Sequence, residues 1–351
     1  MNPLSPSLTL EETQAVLSTA LREAQGGAAQ LEGWTAEPLA KRGKQRVVRY
    51  SLRARVAAAP QVQLYQWVGK FFDRDDTARR VATVLRSLAR TDCGVRGGLV
   101  VPRVVAYHAP RRLLLLTYEP GESVIAALAQ HNGLVLSAIG RALAALHAAP
   151  VALDTATSPK AVVGDLPPRI AHLGERYPGA SIFLRHILSD LERRAPAGPV
   201  VPSFLHGDLG PSQLLWQEGN IVVLDFDACT KGDPAQDLGN LLTQLRRLAL
   251  RKPDKLPDFT LLPPVLLEAY QRWSSPDPDL RRRVAWYEQV ALLRKIHFLA
   301  TDTTRRKGAE ARRERQAEAL RLLEELPPLP ESDESPGAGP CLVQGCDGHA
   351  T

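Results

Sequence analysis

The spacing of apolar residues predicts one helix at the start of the chain and a group of strands after it. Residues 9–25 carry apolar side chains at helical intervals. Thr9 and Glu12 have the spacing of a capping box at the start of that helix. Residues 34–72 change to strand-like runs, and VVRYSLRARV alternates apolar and polar side chains with a period of two.

The pattern then predicts a further helix, two more strands and a long helical part. Residues 75–90 have helical spacing, and apolar runs in residues 99–110 and 111–120 indicate strands. These elements give five strands with one helix after the third. Beyond Glu122 the periodicity is helical, in SVIAALAQH, in LVLSAIGRALAALHAAP and in proline-broken segments up to residue 202. More helices are predicted near 235–251, 261–274, 278–301 and 305–325.

These changes of pattern divide the chain into four parts. Residues 1–33 form an N-terminal helical extension, and residues 34–119 form an N-terminal lobe. Residues 120–325 form a mostly helical C-terminal lobe. Residues 326–351 are rich in Pro, Gly and acidic side chains and are predicted to be disordered.

The charge of the chain does not by itself indicate a nucleic-acid partner. The formal net charge is +6, from 44 Lys and Arg against 38 Asp and Glu. The arginines are mixed with acids along helix-like segments such as 305–321, and no aromatic pattern for base stacking accompanies them. We therefore favour solvated helix faces and expect no nucleic-acid partner.

Several absences in the sequence point to the cytoplasm. No run of about 20 apolar residues is present, so no membrane-spanning helix is expected. The N-terminus lacks the basic and apolar regions of a secretory signal. The four cysteines are too scattered for a disulfide framework, which suits a reducing compartment.

The candidate chemistry lies in residues 204–240, called here the catalytic loop. Asp208 follows a short apolar segment, and the carboxamide Gln213 comes shortly after it. Asp225 ends the apolar run Ile221–Leu224. Phosphoryl transfer needs this set, because one carboxylate orients the acceptor hydroxyl while an amide oxygen and a second carboxylate hold magnesium.

The order HGDLGPSQ, LDFD and GDPAQDLGN resembles the aminoglycoside phosphotransferase and choline kinase family, whose catalytic loop reads H-G-D-x-x-x-x-N. The resemblance implies an α+β, bilobal protein-kinase-like fold with an N-terminal five-stranded antiparallel sheet. It implies Asp208 as the catalytic residue, Asp225 and Gln213 as magnesium ligands, and ATP and Mg²⁺ as cofactors. Gln213 stands where the family usually has asparagine, and its amide oxygen is on a side chain one methylene longer.

Lys70, in the third strand, is the candidate lysine for the nucleotide phosphates. In related kinases a glutamate from the following helix pairs with this lysine. Residues 75–90 contain no glutamate, and Arg79 and Arg80 lie about where it would fall. Either another carboxylate reaches Lys70, or the pairing is absent. The second case favours the alternative function, a nucleotide-binding pseudokinase that acts through a partner.

Two further segments have counterparts in the family. The backbone of Thr117, Tyr118 and Glu119 matches the hinge that would face the adenine edge. Residues 41–45 contain the glycine of a phosphate-covering turn, although a plain basic hairpin turn is an equal interpretation. His206 is expected to brace the loop, and Asp237 to bond backbone near it.

The acceptor is expected to be a small molecule with a hydroxyl group. The connection from Asp225 to Asp237 is too short for the peptide platform that protein kinases build there. Acids in the helices after residue 250 are outnumbered by arginine and lysine, so a sugar, a neutral alcohol or an anionic metabolite fits at least as well as a cationic antibiotic. The acids concerned are Asp254, Asp258, Glu268, Asp277, Asp279 and Glu288.

Overall fold

The structure is a computed structural model that describes residues 8–39, 46–56, 61–92, 97–197, 200–256, 259–301, 308–327 and 329. The candidate phosphate-covering turn at residues 41–45 lies outside these ranges, and so does almost all of the predicted disordered tail.

The N-terminal part is a five-stranded antiparallel sheet. Its strands lie in the order β1, β2, β3, β6 and β5. The prediction of five strands with one helix after the third is confirmed, although β1 begins earlier than the predicted Trp34. The strands up to this point are β1 (Gln30–Pro38), β2 (Arg46–Arg55), β3 (Gln63–Phe71), a short β4 (Leu99–Val100), β5 (Val104–His108) and β6 (Leu113–Thr117).

Helix α1 (Leu10–Gln25) covers one face of this sheet. Both hydrogen bonds of the predicted capping box are present, from Glu12 N–H to Thr9 Oγ1 at 3.1 Å and from Thr9 N–H to Glu12 Oε2 at 2.8 Å. Leu17 and Leu21 are buried against the sheet in a small core. The helical extension therefore packs on the sheet through its apolar stripe.

Strand β6 is buried on both faces, and this accounts for its run of four leucines. Leu113 and Leu115 belong to the small core with α1. Leu114 and Leu116 belong to the main core, together with helix α2 (Asp75–Leu88) and the helical part of the chain. The sheet is thus held between α1 and the remainder of the molecule.

The C-terminal part is mostly helical, as predicted. Helix α3 contains a non-helical residue, His131, close to the point at which the sequence pattern breaks between two predicted helices. Helix α8 packs against α3, and α9 packs against α7. The helices are α3 (Val124–His147), α4 (Pro159–Val163), α5 (Leu166–Arg176), α6 (Ser181–Arg193), α7 (Ala235–Arg251), α8 (Leu262–Trp273), α9 (Leu280–Thr301) and α10 (Ala309–Glu324).

Short strands between the two parts carry the catalytic loop. Four of them form a sheet in the order β4, β10, β9 and β7, in which β9 and β10 form an antiparallel hairpin. β11 pairs with β8. The strands are β7 (Glu122–Ser123), β8 (Ser203–Leu205), β9 (Leu214–Gln217), β10 (Asn220–Val223) and β11 (Thr230–Gly232). In the described part of the chain, no helix is both long enough and apolar enough to cross a membrane.

Candidate active site

Lys70 reaches from strand β3 to the turn that follows the β9–β10 hairpin. Its Nζ lies 2.5 Å from Asp225 Oδ1 and 2.6 Å from Asp227 Oδ1. The lysine side chain is only 10% exposed and lies over the ring of Phe72 at 5.1 Å. A buried ammonium needs such partners, because an unpaired charge away from water is costly. The question left open by the missing helix glutamate is answered, since two other carboxylates reach Lys70.

Asp225 has an unusual backbone conformation. It follows β10 with φ 69° and ψ 63°, in the left-handed region that non-glycine residues seldom adopt. The next three residues form a 3₁₀ turn that buries Phe226 against the rings of His206 and Phe204. This packing holds a strained residue in place, as is common at functional sites. It also leaves the Asp225 side chain 47% exposed.

Asp237, in the first turn of helix α7, holds the start of the catalytic loop. Its carboxylate is completely buried and accepts the backbone N–H of His206 at 2.7 Å and that of Gly207 at 2.9 Å. This confirms the expectation that Asp237 bonds backbone beside the loop. Although burial opposes ionisation, the hydrogen bond from His147 and the amide hydrogen bond from Gly207 help to hold the pKa of Asp237 below its usual range.

Two further hydrogen bonds join the segment around Asp208 to Leu224, at the end of the β9–β10 hairpin. His206 is fully buried, and its Nε2 donates to the carbonyl oxygen of Leu224 at 2.8 Å. The N–H of Leu224 in turn donates to the carbonyl oxygen of Gln213 at 2.8 Å. His206 therefore braces the loop as predicted, and the residue before Asp225 is tied on both sides to the segment that carries Asp208.

Gly207 permits the close approach of the loop to the turn after Asp225. Its φ is +85°, and a Cβ at this position would lie 2.1 Å from the carbonyl oxygen of Ala228. Only glycine fits this combination of conformation and contact. The contact brings the peptide before Asp208 against the turn that begins at Asp225.

Asp208 lies at the open side of the loop. Although part of the residue is exposed, the protein around it removes enough water to raise the pKa of its carboxyl. Electrostatic interactions with His206 and Lys295 oppose this rise, and the negative charges of Asp225 and Asp237 add to it. A carboxylate with a raised pKa is a better proton acceptor than an ordinary aspartate.

Gln213 ends a 3₁₀ turn directly before β9. Its side-chain Oε1 accepts a hydrogen bond from the hydroxyl of Ser212 at 3.0 Å, and the residue is half-buried. The bond between its backbone and Leu224 places Gln213 beside the strand end that leads to Asp225. An amide oxygen and a carboxylate are ligands that suit Mg²⁺, so the donor set fits this ion.

Two backbone N–H groups of the hinge segment already donate hydrogen bonds to other residues of the N-terminal part. The N–H of Thr117 donates to the carbonyl oxygen of Arg103 at 2.9 Å, and that of Tyr118 donates to Gln66 at 3.0 Å. The Tyr118 ring also lies under the guanidinium of Arg49 at 5.4 Å. These two amides are therefore unavailable to an adenine ring, and contact from this segment has to use carbonyl groups or the Glu119 peptide.

The sequence did not predict the contacts of three residues in the site. Asp227 lies in a 3₁₀ turn that brings its carboxylate to Lys70. Arg80 donates to the carbonyl oxygen of Asp227 at 2.6 Å. Tyr270 bonds His147 Nδ1 at 2.9 Å, while His147 Nε2 lies 3.3 Å from Asp237. Alternation in LDFD was a signal for Asp227, but nothing in the sequence indicated Tyr270.

Comparison with known proteins identifies the family. A model of the phosphotransferase enzyme family matches residues 50–287, which is more than half of the chain. Among curated proteins none matches at a significant level.

Several solved structures share the fold. Macrolide 2′-phosphotransferase MphH from Brachybacterium faecium is 21% identical over 88% of this chain and 98% of that chain, with a TM-score of 0.54. Amicoumacin kinase hAmiN, solved with AMP-PNP, Ca²⁺ and Ami, is 15% identical over 90% and 94%, with a TM-score of 0.59. A choline/ethanolamine kinase family protein from Mesorhizobium loti is 15% identical over 89% and 94%, with a TM-score of 0.54. The predicted bilobal kinase-like fold is thereby confirmed.

Proposed function

Because the chain belongs to the phosphotransferase enzyme family, we propose that it transfers the γ-phosphoryl group of ATP to a hydroxyl of a small molecule, with Mg²⁺ as cofactor. The observation that carries this proposal is the ion pair between Lys70 and Asp225, at 2.5 Å. It joins a lysine of the N-terminal sheet to the candidate metal ligand, and the same hairpin is tied to the loop that carries Asp208.

The residues of the site have separate roles in this reaction. Asp208 accepts a hydrogen bond from the acceptor hydroxyl and takes its proton as the oxygen–phosphorus bond forms and the bond to ADP breaks. Lys70 places positive charge beside the nucleotide phosphates. Gln213 and Asp225 would hold the Mg²⁺, which when bound adds positive charge against the phosphate oxygens. Backbone groups of residues 117–119 would contact the adenine.

The segment after Asp225 supports a small acceptor rather than a peptide. Residues 226–228 form the 3₁₀ turn, and residues 230–232 form β11, which pairs with β8. Asp233 is fixed in the interior by Arg283 at 2.8 Å. No length of chain between Asp225 and Asp237 remains for a platform on which a peptide could bind.

The acids of the helical part support an acceptor without strong positive charge. Glu288 pairs with Arg246, Asp277 with Arg283, Glu268 with Arg272 and Asp279 with Arg282. Lys295 lies close enough to Asp208 for its charge to oppose the rise of that pKa. A cationic acceptor would meet few unpaired carboxylates among these, whereas a sugar, a neutral alcohol or a hydroxylated anion meets no such obstacle. Asp258 lies outside the described residues.

The alternative of a pseudokinase rested partly on the lack of a carboxylate for Lys70. Asp225 and Asp227 now fill that place. The remaining departure is Gln213, whose amide oxygen supplies the same donor chemistry as asparagine. We therefore favour the catalytic function.

The test is an assay of the purified full chain with ATP and Mg²⁺ against a panel of hydroxyl compounds. The panel contains sugars, neutral alcohols, hydroxy acids, choline, an aminoglycoside and a macrolide. We expect ADP release with one class of compound and a phosphate monoester visible by ³¹P NMR. Asp208→Asn and Asp225→Asn should abolish both signals. Turnover that survives both substitutions would contradict the proposal.

A further inference from the structure

The resemblance implies that helix α2 carries the carboxylate that pairs with Lys70. In this structure the helix carries a cation at that place, and the carboxylate lies in the turn after Asp225. Helix α2 contains no glutamate and instead carries Arg80 on the side that packs against residues 226–228. The Arg80 guanidinium donates to the carbonyl oxygen of Asp227 at 2.6 Å. The carboxylate that meets Lys70 therefore comes from the turn, and the cation comes from the helix.

Two carboxylates compete for Lys70, and their burial distinguishes them. The distances are nearly equal, 2.5 Å for Asp225 and 2.6 Å for Asp227. The Asp225 side chain is 47% exposed, whereas that of Asp227 is 20% exposed. Water weakens an ion pair, so the contact with the more buried carboxylate is the stronger constraint on the lysine. Asp225 is the more exposed of the two carboxylates, so it is the one that a ligand can reach from solvent.

Asp227 is held at both its side chain and its main chain. Its side chain bonds Lys70 of strand β3, and its carbonyl oxygen accepts from Arg80 of helix α2. Arg80 Nε is buried and finds no acceptor among the residues that the structure describes, so the contact with Asp227 is the principal hydrogen bond of a half-buried guanidinium. One turn residue thus connects the sheet with the helix that covers it.

We propose that Asp227 is the positioning residue for Lys70, in the place that a helix glutamate would occupy, and that Arg80 fixes Asp227 through its main chain. The inference rests on the proposed function, because Lys70 is taken as the lysine that meets the nucleotide phosphates. In this arrangement Asp225 is available for the metal, while Asp227 keeps the Lys70 ammonium directed into the cleft.

Nucleotide binding without an acceptor tests the inference, measured with a fluorescent ATP analogue at saturating Mg²⁺. Asp227→Asn should weaken binding roughly tenfold, the range expected for loss of a charged hydrogen bond. Asp227→Glu should restore part of the loss. Arg80→Met should weaken binding in the same direction, and Asp227→Asn combined with Arg80→Met should be no weaker than Asp227→Asn alone, because both act through one turn.

Arg79→Met is the matched control. Arg79 is the neighbouring arginine on the same helix, is exposed and pairs with Asp75 at 2.5 Å. The Arg79→Met variant should bind the nucleotide analogue with the affinity of the wild type. A thermal melt of each variant checks folding, and if Asp227→Asn does not fold, the comparison of Arg80→Met with Arg79→Met decides.

Two results would overturn the inference. One is wild-type affinity in Asp227→Asn at saturating Mg²⁺, and the other is equal behaviour of Arg80→Met and Arg79→Met. If Asp227→Asn also needed as much extra Mg²⁺ for half-saturation as Asp225→Asn, Asp227 would be a metal ligand instead. Failure of the proposed function is distinct, since the wild type itself would then bind no nucleotide, or would bind it without releasing ADP in the presence of any acceptor.

Discussion

The buried carboxylate of Asp237 accepts the backbone N–H of His206 at 2.7 Å and so fixes the start of the catalytic loop from the helical core. Replacing it by asparagine leaves the shape but removes the charge and one acceptor. We expect Asp237→Asn to lower the free energy of unfolding by about 3 kcal/mol, because a buried charged network is broken. Urea denaturation measures the loss. Asp254→Asn, at an exposed aspartate, is the control and should be nearly neutral.

The lowered pKa of Asp237 predicts how stability depends on pH. The folded protein binds this proton less readily than the unfolded chain, so ionised Asp237 stabilises the fold at neutral pH. The contribution falls off as the pH drops below the usual range of an aspartate and is lost at the lower folded-state pKa. Wild type and Asp237→Asn should therefore converge in stability in acid. Denaturation curves that stay equally separated down to pH 2 would contradict this.

The raised pKa of Asp208 predicts the acidic limb of the pH–rate profile. Asp208 must be ionised to take the proton of the acceptor, so kcat/KM should rise with pH through the raised pKa. The midpoint should lie above the usual range of an aspartate. A profile that is flat down to that usual range would exclude Asp208 as the group that titrates.

Asp208→Asn should remove activity without a loss of stability. The folded state raises the pKa of this carboxyl, so above that pKa the ionised group subtracts from stability, and an uncharged amide does not. Differential scanning calorimetry at neutral pH should give a melting temperature at or above that of the wild type. A clearly lower melting temperature would mean that Asp208 supports the fold rather than the reaction.

Gln213 can be tested as a metal ligand by shortening its side chain. Gln213→Ala should raise the Mg²⁺ concentration for half-maximal activity at least roughly tenfold, as loss of a ligand group does. Gln213→Asn keeps the amide oxygen and gives the residue that the family usually has, so it should retain most of the affinity. An unchanged Mg²⁺ requirement in Gln213→Ala would remove this residue from the metal site.

Two glycines with similar conformations allow the close contact at Gly207 to be isolated. Gly207 has φ +85° and would place a Cβ 2.1 Å from Ala228 O, whereas Gly219 has φ +90° with nothing within 4 Å. Gly219→Ala should lower the free energy of unfolding by about 1 kcal/mol, because alanine is disfavoured in the left-handed backbone region. Gly207→Ala should lose clearly more and should also lower kcat, because the loop must shift beside Asp208. Equal losses in the two variants would show that the contact is unimportant.

The sequence predicts most elements of this fold because their apolar spacing is regular. The period-two alternation of VVRYSLRARV matches the buried Val48, Tyr50, Leu52 and Ala54 of β2. The capping box at Thr9 is a local signal and is likewise confirmed. Helix α3 consists of the two predicted helices after Glu122, which meet at a kink at the non-helical residue His131, where the first predicted segment ends.

The contacts of the site were harder to predict because they join distant parts of the chain. The ion pair of Lys70 with Asp227 depends on the turn after Asp225, whose left-handed backbone is not encoded by an obvious glycine. The Tyr270 contact with His147 depends on how α8 packs against α3. The candidate residues of the catalytic loop could be named from their order, while their partners required the packing of the elements around them.

The division of leucines along β6 has a consequence for the modularity of the protein. Leu114 and Leu116 are buried with residues of the helical part, although their strand belongs to the N-terminal sheet. A fragment that stops at the hinge would therefore carry an uncovered apolar face on β6 and α2, and fragments of that kind tend to aggregate. The N-terminal part of this chain is not an exchangeable module, because a different helical part grafted onto it would have to supply a matching apolar surface.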